Sequence, residues 1–152
     1  MEKLRITEIL AQLFKRDLEK LKTEITSYKD EKKMWEVSGD IKNSAGNLCL
    51  HLLGNLQHFI GTTLGKSGYD RNRDAEFSRK NAPVEEMQKE IDETIIIIKK
   101  TLNELDEKRL KDIYPINVFG YEMTTGFFLT HLTTHLSYHL GQINYHRRLL
   151  DK

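Results

Sequence analysis

The chain has 152 residues, enough for one domain with a real core and too few for two comfortable ones. Lys plus Arg number 24 and Asp plus Glu 23, a formal net charge of +1 that argues against a nonspecific nucleic-acid binder and against attraction to an anionic membrane. Charged residues make up 31% of the chain while Pro numbers only 2, which favours long amphipathic helices, an all-α fold, over a sheet broken by turns.

From Leu4 to about Tyr28, Ile6, Ile9, Leu10, Leu13, Phe14, Leu18, Leu21 and Ile25 recur at three- and four-residue spacing and predict a first helix with one buried stripe. Asn43 or Ser44 is suited to cap a second helix running to about Leu64, which carries His51 and His58. The segment GKSGYDRNRDAEFSRKNAP, residues 65–83, reads as a long connection between parallel neighbours or a lid. Pro83 suits the first turn of a third helix, Val84 to Leu105, through Met87, Ile91, Ile95, Ile98 and Leu102. A second connection, DEKRLKDIYPINVFGYEM, leads to Thr124 or Thr125 as cap of a fourth helix that ends near Leu150. Trp35 and the Tyr114, Phe119 and Tyr121 group read as plugs over the bundle ends.

The single cysteine, Cys49, cannot form an internal disulfide, and MEKLRITEIL lacks the apolar core of a signal peptide, so a cytoplasmic location is expected. The aliphatic run Ile95 to Ile98 is far below the roughly 20 residues needed to cross a bilayer.

The six histidines divide between the second helix and the fourth. His131, His135 and His139 are four residues apart, so each step advances about 6 Å and turns only about 40°. His135 and His139 form an H-x3-H pair, half of a metal site, and a third imidazole from a facing helix would complete a three-histidine centre with open positions. His51 is the preferred third ligand, with Asn47 and Asn55 one turn to either side placed to orient it. His58 competes, but it lies about 10 Å further along the axis and cannot share the same ion. His58, His131 and His146 read otherwise as hydrogen-bonded packing residues, His146 standing with Arg147 and Arg148 at a basic helix end. Cys49 points away from His51 and reads as core filling. The absence of Glu-x-x-His, HExxH, Walker A, GxGxxG and GxSxG leaves a metal as the most plausible engine for any chemistry.

The blocks NSAGNLCLHLLGNLQHFIG and LTHLTTHLSYHLGQINYHRRLL, with LGKSGYDRNRDAEF between them, resemble the DinB-like superfamily of small four-helix metal-binding proteins, in particular a bacterial branch carrying HLxGNL and HLSYHLGQINYHRR. The resemblance spans residues 1–152 and implies an up-down-down-up four-helix bundle that commonly forms a homodimer. It implies that His51, His135 and His139 bind one divalent metal, nickel or zinc most often, with His131 outside the coordination sphere. The superfamily includes thiol transferases that use low-molecular-weight thiols such as bacillithiol, isomerases acting on thiol conjugates, and members with no assigned activity. The expectation that follows is a metal-dependent enzyme of thiol-transferase or hydrolase type, with Tyr69, Arg71, Arg73 or Glu76 of the long connection binding or protonating a small-molecule substrate. The alternative is a non-catalytic bundle, structural or stress-related, in which the metal clamps two helices or is sensed or stored.

Overall fold

A computed structural model describes residues 3–152. Among them are five α-helices: α1 (Ile6–Thr26), α2 (Ala45–Leu56), α3 (Arg73–Ser78), α4 (Val84–Glu104) and α5 (Thr125–Leu150). Short 3-10 turns at Glu31–Trp35 and Glu107–Lys111 follow α1 and α4. Four of the helices build the bundle and α3 lies in the long connection.

The predicted stripes become the core. α1 buries Leu10, Phe14, Leu18, Leu21 and Ile25, and α4 buries Met87, Ile91, Ile98 and Leu102. α2 is buried along its whole length, and Phe128, Leu129, Leu132, Leu136 and Ile143 close the core from α5. Each fully buried Leu, Ile or Phe is worth about 1.5–3 kcal/mol, which is what fixes helices whose polar faces have little intrinsic preference. Ser44 Oγ accepts from Asn47 N at 3.1 Å and Thr124 Oγ1 from Phe127 N at 3.1 Å, so Ser44 and Thr124 are the caps.

Side-chain contacts set the directions. Lys22 meets Asp92 and Arg5 meets the carbonyl of Asn103, so α1 and α4 are antiparallel. Glu24 holds both Asn144 and Arg147, so the C-terminal ends of α1 and α5 lie together and the two run parallel. Asn47 at the start of α2 binds backbone just before α4, while Gly61 and Gly65 past its end touch Ile97 and Thr101, so α2 and α4 run parallel. The order is therefore up-down-down-up.

Three departures from the expected elements have physical causes. The second helix does not stay regular to Leu64 but continues as a π-helical turn over Gln57–Thr62, closed by Thr63 N to His58 O at 3.1 Å and Gly65 N to Ile60 O at 3.0 Å. Glycines at 61 and 65 let it approach α4, where a Cβ on Gly65 would collide with the Thr101 side chain. The long connection contains a helix of its own, because Asn72 Oδ1 caps it through Ala75 N at 3.1 Å and Asp74 and Glu76 occupy its first turn. His146 is a hydrogen-bonded packing residue, as one of its two readings had it, and not a member of a basic helix end: it is 3% exposed, with Nδ1 2.7 Å from Tyr28 Oη and Nε2 2.8 Å from the Glu36 carbonyl. Arg147 instead pairs with Glu24 at 2.8 Å.

The aromatic plugs divide too. Trp35 packs over Gly46 and Tyr114 is buried, its hydroxyl donating to the Phe59 carbonyl at 2.6 Å. Phe119 packs against His131 and Phe128 but is itself exposed, as is Tyr121.

Candidate metal centre

Because α2 and α5 are antiparallel neighbours, His51 from one faces His135 and His139 from the other. One ring nitrogen from each of the three lies within 4.8 Å of the others. The His51 and His135 Nε2 atoms are 3.4 Å apart, and the centroids of His135 and His139 are 4.6 Å apart. His58 and His131 are outside this group. His58 packs on Phe59, and His131 lies among Phe119, Phe128 and His135.

The surroundings decide which nitrogen each ring offers. His51 Nδ1–H donates to Glu76 Oε1 at 3.1 Å, which leaves the Nε2 lone pair facing His135. His139 Nδ1 is bound to Gln142 Oε1 at 2.7 Å, which likewise frees its Nε2. His135 Nδ1 is buried with no partner. Burial, and then the neighbouring His139 and His51, lowers the His135 pKa to about 4, and burial also lowers His139 against the opposing pull of Gln142. Neutral imidazoles are the ligating form.

This donor set fits a divalent ion. Two metal–nitrogen bonds of about 2.0–2.1 Å at a tetrahedral angle put the nitrogens about 3.3 Å apart, close to the 3.4 Å between His51 and His135. Two nitrogen lone pairs at that separation repel unless a cation or proton lies between them. Among the described residues no fourth His, Cys, Asp or Glu atom joins the group. Three protein ligands leave open positions, the pattern of catalytic rather than closed structural sites.

Asn47 does not orient His51 as its position in the sequence implied. Its amide donates to the carbonyls of Glu76 and Arg79 at 2.9 and 2.8 Å and so pins the long connection to α2. Asn55 Oδ1 is buried without a partner. Orienting His51 falls to Glu76, which Arg71 grips through Nε and Nη2, both at 2.9 Å. Burial alone would raise the Glu76 carboxyl, but hydrogen bonds from His51 and Arg71 hold it below its ordinary range. Gly54, one turn beyond His51, leaves the space Glu76 occupies, since a Cβ there would lie 2.6 Å from Glu76 Cδ. Arg73 stacks over Phe77 at 5.3 Å, and Phe77 packs on His51 with centroids 4.9 Å apart. Tyr69 is half-buried, and its carbonyl accepts from Thr62 Oγ1 at 2.6 Å. The long connection thus supplies Arg71, Glu76 and Phe77 to one metal-ligand candidate. A glycine at helical spacing from a histidine was the available sequence signal for a long side chain arriving from elsewhere.

A family model described as a protein of unknown function (DUF1572) matches residues 6–152. A crystal structure of a conserved protein from Enterococcus faecalis is similar in fold, with a TM-score of 0.72 at 15% identity over 97% of this chain and 98% of that one. No curated protein matches the chain.

Proposed function

The chain belongs to that family of unknown function, and from this premise we propose that it is a DinB-like, metal-dependent enzyme of thiol-transferase or hydrolase type. The observation that carries the proposal is a three-imidazole donor set with no fourth protein ligand among the described residues, beside a groove that His139 helps to line. His51, His135 and His139 would hold the ion, zinc or nickel. Bound there, a divalent ion supplies Lewis acidity, lowering the pKa of a thiol or water so that the nucleophile forms near neutral pH.

The protein's own contribution is positional. Glu76 fixes the tautomer of His51, Arg71 fixes Glu76, and Gln142 fixes His139. Arg71 and Glu76 act through His51, Arg73 stacks on the Phe77 that packs against His51, and Tyr69 lies in a cleft beside Ile96 and Ile97 of α4, on a different face from the groove at His139. Because His51 stands on a different helix from the other two ligands, the site exists only in the folded bundle. A homodimer is part of the proposal and is checked by light scattering, where a monomeric mass would remove it.

The test is metal-free protein given one equivalent of zinc or nickel, then a model electrophile or activated ester with and without small thiols. Metal-dependent turnover that disappears in His135→Ala supports the enzyme. Tight metal binding with no turnover on any of these would leave a clamp between α2 and α5.

A further inference from the structure

Next to His139 the surface opens into a groove of about 810 Å³, within the size range of small-molecule sites. One wall is α5, where Tyr138, Tyr145 and Leu149 are 66%, 63% and 55% exposed. Spacings of seven and four put them on one helical face. Ile41 and Leu48 stand on the opposite wall. Gly141, between the two tyrosines, leaves the middle open, as a Cβ there would meet nothing within 4 Å. Among the described residues, Asp40 and Lys42 are the only Asp, Glu, Lys or Arg lining the groove, and their charges offset one another. From Thr125 to His146, α5 carries no Asp, Glu, Lys or Arg.

We propose that this groove is the substrate subsite of the metal centre and that it takes a small molecule with an alkyl or aryl body and a single metal-ligating head group. The inference rests on the metal-enzyme reading and adds the class of substrate. Three large apolar side chains held in water cost solvation that an apolar ligand body would recover. A phosphorylated or polyanionic substrate would need a cluster of Arg or Lys along the same walls, and the groove is lined by one lysine and one aspartate. His139 is the candidate ligand that lines the groove, so a head group bound to an ion there would sit at His139 and the body would lie toward Tyr145 and Leu149.

The experiment uses the whole chain loaded with one equivalent of Co²⁺ and a series of alkyl hydroxamates, from acetohydroxamate to octanohydroxamate, followed by the visible spectrum of the ion. Affinity should rise about two- to fourfold for each added methylene until the groove is filled. Gly141→Leu, which fills the middle of the groove, should flatten that dependence while acetohydroxamate still perturbs the cobalt spectrum as in the wild type. Tyr145→Ala should reduce the gain per methylene without closing the groove. Affinities that do not change with chain length, on protein with an intact cobalt spectrum, would overturn the subsite and leave the metal centre standing. A cobalt spectrum that never forms would instead remove the metal-enzyme reading first. If light scattering shows a wild-type dimer that Gly141→Leu converts to monomer, the groove belongs to a second copy of the chain and the substrate assignment fails.

Discussion

Gly54→Ala changes no ligand and no charge, yet it should weaken the metal site and the fold together. Gly54 lies inside α2, where alanine is the better helix former by about 1 kcal/mol, so the backbone itself favours the substitution. The new Cβ would, however, be 2.6 Å from Glu76 Cδ, closer than real Cβ contacts allow. Glu76 cannot simply swing aside. Its side chain is 6% exposed and both oxygens are engaged, by Arg71 at 2.9 Å and His51 at 3.1 Å. Moving it leaves the buried Arg71 guanidinium unpaired, which costs about 3–5 kcal/mol when one partner of a buried pair is lost. After the helix gain, a net loss of about 2–4 kcal/mol remains, or about 5–15 °C in Tm for a chain of this size. Without the carboxylate to fix its tautomer, His51 should also hold the ion about 10–100-fold less tightly. Thermal melts of metal-free protein and competition titration with a zinc chelator read the two effects separately. A Gly54→Ala protein as stable as the wild type, with unchanged zinc affinity, would refute the Arg71–Glu76–His51 arrangement.

Three further outcomes follow from the same physics. In metal-free protein the His135 pKa is lowered to about 4 from an ordinary 6.5, so between those values the unfolded chain binds more protons and stability falls as pH falls. Allowing for solvent screening of the half-buried ring, about 1–2 kcal/mol should go, and Glu76, held below its usual range, adds a loss as pH drops below 4.5. Urea midpoints in the presence of chelator measure this, and a midpoint that rises toward acid would contradict it. Cys49 is fully buried and burial pushes its thiol pKa up, so a disulfide reagent should label native protein only at the rate of opening and label unfolded protein at once. Tyr28→Phe should cost about 1–2 kcal/mol by leaving His146 Nδ1 unpaired, and a midpoint equal to the wild type would mean that bond contributes nothing.

The four bundle helices were legible because burial imposes its period on the chain: Leu10, Phe14, Leu18, Leu21 and Ile25 alone locate α1 and its inner face. α3 was not, since six residues with one fully buried side chain, Glu76, carry no apolar period and stand only because they dock on α2. The same division runs through the site. His135 and His139 share a helix and reveal themselves by spacing, and His51 is an isolated histidine on a helix that must face them. The bond from Glu76 to His51 crosses 25 residues and passes through a connection whose path no local pattern sets. His146 was legible in part: a hydrogen-bonded packing histidine is what it is, but its place beside Arg147 and Arg148 suggested a basic helix end, and the helical turn that exposes Arg148 instead buries His146 against Tyr28.

Metal stoichiometry of untagged protein, dialysed against a slight excess of zinc and measured by elemental mass spectrometry, bears most directly on the three-histidine centre. The wild type should retain about one ion per chain, as should His58→Ala and His131→Ala, while His51→Ala, His135→Ala and His139→Ala each retain almost none. A wild type that takes up no metal, or a His51→Ala protein that keeps its ion, would contradict a site shared between α2 and α5.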